Sequence, residues 1–382
     1  MQRNMLVQNT GHSSRKLNTW KYILFSVCTL LSLVEIYVVL PHFRNDEKSM
    51  RFDKRLEPKI KTCWFSGRNT SYGIMNNTLF EVKLKPGLMK LINPTSPKYT
   101  PTVNGTYHLE NKNFCSEERF LSLIVMILSS TNNFQRRNAV RETWGNSSYY
   151  VNFGTVKVLF VLGLTKDSSV QEHIEAEFNR SKDILQGSFI DSYKNLSYKS
   201  VLGFKWLTER CRNAKFVLKT DDDVVINMFR IFETDIPKIS IDQYQVHCER
   251  RTNSPVLRNR NAKAYVEPHQ LRGLKYHMPY CHGQYVMFLN DIVPYLYKSA
   301  AITPFFWIDD VFNYGIVINN IPALKYKQVQ SSEYVSYKKL DKSLCMKESS
   351  QLCRYLYVVT DNDNQAKSVW SSINLQYRNT SY

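Results

Sequence analysis

Lys215-Phe216-Val217-Leu218-Lys219-Thr220-Asp221-Asp222-Asp223-Val224-Val225-Ile226-Asn227 sets three consecutive carboxylates between two apolar runs. Runs this short and this rich in Val, Phe and Leu read as buried strand. The carboxylates then stand where a strand ends at the edge of a sheet. Three adjacent carboxylates repel one another, so the cluster wants a cation among them. A divalent ion with oxygen ligands fits, because Mg²⁺ or Mn²⁺ is usually held by one or two carboxylates together with substrate phosphates. An acidic, solvated surface turn is the plain alternative. The surrounding chain decides between the two.

Upstream, Phe120–Leu128 and Val156–Leu162 have the same apolar character as Phe216–Leu218, while Asn133–Trp144 and Val170–Glu177 have helical spacing. Alternating strands and helices predict an α/β sandwich with a mostly parallel sheet flanked by helices. Ligands bind such sheets beyond the carboxyl ends of the strands, which favours a functional reading of the acidic triplet.

Three further segments carry polar chemistry. Arg136-Arg137-Asn138-Ala139-Val140-Arg141-Glu142-Thr143-Trp144-Gly145 follows the first strand. On a helix, Arg137 and Arg141 lie one turn apart on one face. Two guanidinium forks suit a diphosphate or a carboxylate; alternatively they pair with acids such as Asp191 and hold the helix down. Trp307-Ile308-Asp309-Asp310-Val311-Phe312 sets two carboxylates among aromatic residues, a setting that raises a carboxylate pKa towards that of a useful base. Capping of a helix start is the other reading of an Asp there. Met278-Pro279-Tyr280-Cys281-His282-Gly283-Gln284-Tyr285-Val286 offers a glycine for close backbone approach and aromatics such as Tyr285 for stacking on a sugar.

The N-terminal part predicts an anchor. Residues 1–21 carry Arg3, Arg15, Lys16 and Lys21 and no acidic residue, and Tyr22 to Leu40 is apolar apart from small polar residues and Glu35. Nineteen helical residues span about 28 Å, close to the roughly 30 Å of a bilayer core. A basic tail stays cytosolic. The expectation is therefore a cytosolic tail (1–21), a transmembrane signal anchor (22–40), a Pro-interrupted luminal stem (41–115) and a globular domain (116–382). Sequons at Asn69, Asn76, Asn104, Asn146, Asn179, Asn195 and Asn379 all follow the apolar span, as expected of a luminal glycoprotein. Of eight cysteines, seven lie beyond it without paired zinc-type spacing, so disulfides are expected. The net charge of +18 is spread out; ordinary solvated surface or an affinity for anionic glycans both fit it. The expected compartment excludes nucleic acid as a partner.

Together these segments resemble the β1,3-glycosyltransferase family that includes the β1,3-galactosyltransferases and β1,3-N-acetylglucosaminyltransferases. The resemblance covers about residues 118–320. It rests on the Arg136–Gly145 run, Phe160-Val161-Leu162-Gly163, Asp191-Ser192-Tyr193-Lys194-Asn195-Leu196, the Lys219–Val224 triplet, Pro279-Tyr280-Cys281-His282-Gly283 and Asp309-Asp310-Val311-Phe312, in the family's order. It implies a GT-A fold, a UDP-sugar donor, Mn²⁺, a glycan acceptor on protein or lipid, and a type II Golgi membrane protein. Asp223 would ligate the metal, and Asp221 and Asp222 would lie on the donor with Arg137 and Arg141. Asp310 would be the catalytic base of an inverting displacement that gives a β1,3 linkage, with Asp309 and Tyr285 on the acceptor.

Three departures stand out. Asp309 replaces a usual Glu, the Cys281–Tyr285 loop is one residue short, and no His follows His282. Related enzymes supply a metal-binding His near the C-terminus; Asp361 is the expected substitute, with Asp363 or a water as the alternatives. The missing His leaves a non-catalytic chaperone or glycan-binding relative as the alternative to an enzyme. A carboxylate-pair glycoside hydrolase is a third reading, one needing neither metal nor the Arg helix.

Overall fold

The computed structural model describes residues 107–239, 244–340 and 353–380, all within one compact unit, Asn76–Tyr382. Strand β2, Leu121–Leu128, has the sequence LSLIVMIL and is buried on both sides. A strand buried on both faces sits inside a sheet, and its successive side chains enter different cores. Leu123, Val125 and Ile127 point into one core, whereas Ile124, Met126 and Leu128 point into the other. The neighbouring strands β3 (Val156–Leu164) and β5 (Ala214–Asp221) divide in the same way. Burying one such Leu, Val or Phe contributes about 1.5–3 kcal/mol, so the two apolar layers dominate stability.

Both neighbours run parallel to β2, pairing Leu128 with Val161 on one side and with Asp221 on the other. With β1 (Tyr107–Leu109), β4 (Ile184–Ile190), β7 (Gln245–Arg251), β8 (Tyr280–Leu289) and β9 (Lys325–Gln328) they form an eight-stranded sheet ordered β1-β4-β3-β2-β5-β8-β7-β9. The stretch β4-β3-β2-β5 is parallel, and β8 is antiparallel to both β5 and β7. This mixed sheet accords with a GT-A-like arrangement. A small second sheet joins β10 (Tyr334–Ser336), β11 (Tyr357–Val359) and β6 (Val224–Ile226), the strand that begins directly after the acidic triplet.

Helices α1 (Phe134–Glu142), α2 (Ser168–Ser181) and α3 (Leu196–Arg210) follow β2, β3 and β4. The Asp167 carboxylate caps α2 by accepting from the Val170 amide, and Lys182 stops it in the left-handed region. Helix α4 (Val293–Ile302) packs on α3. A single turn, α5 (Asp309–Val311), widens into a π-helical turn at Phe312–Val317. The C-terminal helix α6 (Asp363–Thr380) buries Val369, Trp370 and Ile373, with Trp370 and Tyr377 stacked on Phe229.

The transmembrane helix in the sequence reading requires correction. Among the described residues no helix is long and apolar enough to cross a membrane. The longest, α6, mixes Asp363, Lys367 and Arg378 with its buried apolar face. The span expected at 22–40 lies outside the described residues, as do the tail and the stem up to residue 106. The signal anchor, the single-pass Golgi topology and the membrane as a partner therefore have no support among the described residues.

Two disulfides between described residues fix long-range geometry. Cys115–Cys211 ties the segment before β2 to the end of α3, and Cys248–Cys281 joins β7 to β8. The first closes a loop of 96 residues, and a link that long removes much of the unfolded chain's freedom. Replacing both Cys115 and Cys211 by Ser should lower unfolding free energy by about 2–4 kcal/mol. Denaturant titration of the purified domain measures it, and an unchanged midpoint refutes it.

Candidate active site

The carboxyl ends of β2 and β5 bring the 129–136 loop against the acidic triplet. Asp222 is held there: its Oδ2 accepts from Ser129 Oγ at 2.6 Å and Asn133 Nδ2 at 2.9 Å, and Arg136 Nη1 lies 3.9 Å from Oδ1. Burial pushes its pKa up. Asp223 differs. Its Oδ1 is buried with no hydrogen-bond partner among the described residues. Burial, and then the charges of Asp221 and Asp222, raise it to about 6.

The Asp223 carbonyl accepts from Thr360 N at 2.8 Å and Thr360 Oγ1 at 3.0 Å. That pins the backbone next to Asp361 beside the triplet. Arg136 closes the arrangement by donating from Nη2 to the Asp361 carbonyl at 3.1 Å. Asn132, Asn133, Gln135, Arg136 and Asp361–Asp363 line a cleft of about 210 Å³ here. The Asp361 carboxylate is half exposed and lies 3.7 Å from Lys338. Among the described residues no group of three or more His, Cys, Asp or Glu side chains is gathered as a metal centre.

The two arginines singled out by helical spacing face inward. Arg137 is fully buried; it donates to Glu177 at 2.7–3.1 Å, to Ser129 Oγ at 3.1 Å and to the Ser130 carbonyl at 2.6 Å. Arg141 pairs with Glu177 at 2.6 Å and with Asp183 at 2.7 Å. Asp191, the acid named as a possible partner, instead takes Lys199 at 2.8 Å and the Gly163 amide at 2.9 Å. Arg137 therefore holds the loop that in turn holds Asp222, and Arg141 braces Glu177, the acid that pairs with Arg137. Arg136, which the spacing passed over, is the guanidinium that reaches the triplet. It lies on the other side of α1, where a pattern of buried faces gives no signal.

Asp309 and Asp310, joined to the triplet through Lys219, occupy the helical turn α5, so their side chains are splayed by about 100°. Asp309 is buried; its Oδ1 accepts from Asn313 Nδ2 at 2.8 Å, and burial raises it to about 6. Asp310 is only partly covered. Burial raises its pKa too, against the opposing charges of Lys219 and His282 and a backbone hydrogen bond from Gly283. A Cβ on residue 283 would collide with Asp310 Oδ1 and Lys219 Nζ, so glycine is required by this close approach.

Lys219 joins the two halves. From a buried position its ammonium donates to Asp221 Oδ1 at 2.9 Å and to the Gly283 carbonyl at 2.8 Å, and lies 3.7 Å from Asp309 Oδ2. Burial disfavours its charge, but Asp221 and Asp309 outweigh burial and raise its pKa. Nearby, His282 Nδ1 lies 3.5 Å from Glu249 Oε2. Burial again opposes the charge on His282, yet Glu249 and Asp310 raise its pKa. Lys219, His282 and Glu249 were missed in the sequence. Lys219 looked like one position of an apolar strand, although a lysine in such a run is itself a signal of a buried partner.

Tyr285, expected on the acceptor, is corrected. It is fully buried, its hydroxyl donates to Asp235, and its ring stacks on Tyr357 at 5.5 Å. It faces the core because it lies at an inward position of β8, as do Met287 and Leu289.

The Asp309 shift makes stability depend on pH. A carboxyl whose folded pKa is raised binds more protons when native, so its contribution falls as pH rises from about 4, the unfolded value, to about 6. The unfolding free energy of wild type minus that of Asp309→Asn should therefore drop by roughly 1–3 kcal/mol across that window. Parallel urea titrations measure it, and a flat difference refutes it.

The sequence pattern that defines the galactosyltransferase family matches residues 135–329, which include the acidic triplet and the Asp309–Asp310 turn. The chain is 28% identical over 325 residues to the lactosylceramide 1,3-N-acetyl-beta-D-glucosaminyltransferase of Mus musculus, covering 83% of this chain and 78% of that enzyme. It is also 28% identical over 246 residues to beta-1,3-galactosyltransferase 1 of Homo sapiens, covering 64% and 70% respectively. A solved glycosyltransferase involved in glycosylating the major capsid of PBCV-1 overlaps 65% of the chain and 98% of its own, at TM-score 0.36 and 11% identity. That overlay is too loose to carry weight; the family match over half the chain is not. The chain belongs to the galactosyltransferase family.

Proposed function

We propose that this glycosyltransferase moves a hexose or N-acetylhexosamine from a UDP-sugar to the 3-hydroxyl of an acceptor glycan, with inversion, giving a β1,3 linkage in protein or lipid glycosylation. The observation that supports it most is the buried Lys219, which donates to Asp221 of the acidic triplet and lies beside Asp309, so that the triplet and the Asp309–Asp310 turn share one cation. A donor-binding edge and a base are what a sugar transfer needs. Both relatives named above are 1,3-transferases by name.

A divalent metal suits the donor edge. Asp223 presents a buried oxygen without a partner and a pKa raised to about 6; a cation would relieve both. One or two carboxylates with diphosphate oxygens make a sufficient set, so Asp223 and Asp361 would hold Mn²⁺ without a third protein group. When bound, the metal would offset the negative charge developing on the departing UDP.

The chain's own residues do the rest. Asp310 accepts the proton of the acceptor hydroxyl as that oxygen bonds to the anomeric carbon and the diphosphate leaves. Lys219 and His282 oppose the burial that raises the Asp310 pKa. Asp309, fixed by Asn313, holds the turn in place. Arg136 stands on the donor side of the cleft, while Arg137 holds its loop and Arg141 braces Glu177 behind it.

A positioned base is worth about 10²–10⁴-fold in rate. Asp310→Asn should cut turnover by that order while UDP affinity is retained. Asp223→Ala should lose Mn²⁺-dependent UDP binding, and Asp361→Ala should weaken the apparent Mn²⁺ affinity. Release of UDP from UDP-galactose or UDP-N-acetylglucosamine, with and without lactose, and UDP titrations measure all three. Full turnover in Asp310→Asn would remove the base, and full turnover in excess chelator would remove the metal.

A further inference from the structure

Two aromatic side chains stand beside the base and take no part in the chemistry above. Tyr193 lies in the 3₁₀ turn Tyr193–Asn195 that leads into α3, and is 44% exposed. Trp307, partly exposed, precedes the Asp309–Val311 turn. Their ring centres are 5.9 Å apart, edge to face. Exposed aromatics on a surface turn are ordinary by themselves. What sets this pair apart is how firmly it is fixed to the catalytic turn.

Two hydrogen bonds cross-link the segments that carry the rings. Ser197 Oγ, at the start of α3, donates to the Phe306 carbonyl at 2.9 Å. Asn313 Nδ2 donates to the Ser197 carbonyl at 3.2 Å and also to Asp309 Oδ1 at 2.8 Å. One amide thus ties the base turn to the helix that follows Tyr193. A third link is the stack of Tyr198 on Phe305, with centres 4.5 Å apart and planes 17° apart. The Lys263 ammonium lies 4.4 Å from the centre of the Tyr193 ring and steadies it. The Tyr193 hydroxyl also feels the catalytic carboxylates: burial first, then Asp310, Asp221 and Asp309, raise its pKa. The pair is therefore a rigid aromatic surface registered to the base.

We infer that Tyr193 and Trp307 form the subsite on which the sugar ring of the acceptor stacks. The C–H face of a pyranose packs on an aromatic face as an apolar surface does, and the ring's hydroxyls stay free for polar contacts. Held there, the acceptor would bring one hydroxyl towards Asp310 and leave the triplet side to the nucleotide. The inference deepens the transferase reading and rests on it, since it takes Asp310 as the base.

The test reads binding separately from turnover. Methyl β-galactoside, methyl β-N-acetylglucosaminide and lactose are offered to the protein in the presence of UDP, and saturation-transfer NMR titrations give each affinity. Wild type should bind at least one of them. Trp307→Ala and Tyr193→Ala should weaken that affinity about five- to tenfold, Trp307→Phe should recover most of it, and UDP affinity should stay within twofold in all. No binding of any of the three by wild type overturns the subsite, as does unchanged sugar affinity in Trp307→Ala with UDP binding intact. Loss of UDP affinity in the variants would place the pair on the donor side and also overturn it. The transferase reading fails by a different result, the absence of acceptor-dependent UDP release from wild type.

Discussion

A buried ammonium among carboxylates governs this active site. Lys219 sits at 1% exposure near the end of a central strand, where an unpaired charge would cost several kcal/mol. It is tolerated because Asp221, Asp309 and the Gly283 carbonyl surround it. The dependence runs both ways. Without that cation, the carboxylates on the two sides of the cleft would face one another with little to oppose their repulsion. The lysine thus sets the distance between the donor edge on β5 and the base turn on α5. It also explains the glycine at 283, whose missing side chain leaves room for the ammonium and the base together.

A second network fixes the donor edge from behind. Ser129 is its hub: it donates to Asp222, accepts from Arg137, and offers its carbonyl to Lys199 at 2.6 Å. Arg137 is in turn pinned by Glu177 on α2, and Lys199 on α3 by Asp191 after β4. Three crossover helices therefore converge on one loop. Charges as buried as these add little net stability compared with an apolar core. Their effect is to give the loop a single conformation, and with it the Asp222 carboxylate and the Arg136 guanidinium.

The parts of this fold legible in sequence are those set by local periodicity. Phe120–Leu128 and Val156–Leu162 were readable as strands because each is apolar apart from one residue near its start, Ser122 or Lys157, and the observed β2 and β3 differ by one or two residues at their ends. The triplet was readable as a strand end because Val224–Ile226 restarts the apolar run at once. The site's partnerships were less legible, since they depend on pairs far apart in the chain. Nothing near Arg137 announces Glu177, forty residues on. The two faces of β8 could not be told apart before β5 and β7 were placed beside it, which is why Tyr285 was assigned to the wrong side. Asp309 and Asp310 were readable as a helix start, a position Asp favours, whereas Ser200 and Lys219, the distant partners of Asp309, have no local signal.

The disulfide between β7 and β8 has a consequence for how this protein becomes competent. Cys248 and Cys281 are the residues immediately before Glu249 and His282, and the β7–β8 register slips between Cys248 and Arg250, at the position of Glu249. A bulge of that kind leaves the alignment of its side chain to whatever holds the two strands together. Here a covalent bond does so, and the aligned pair neighbours the proposed base. Oxidative maturation and assembly of the catalytic electrostatics are then a single event: chains whose thiols have not yet joined would carry every polar group of the cleft with the acid–imidazole pair unregistered.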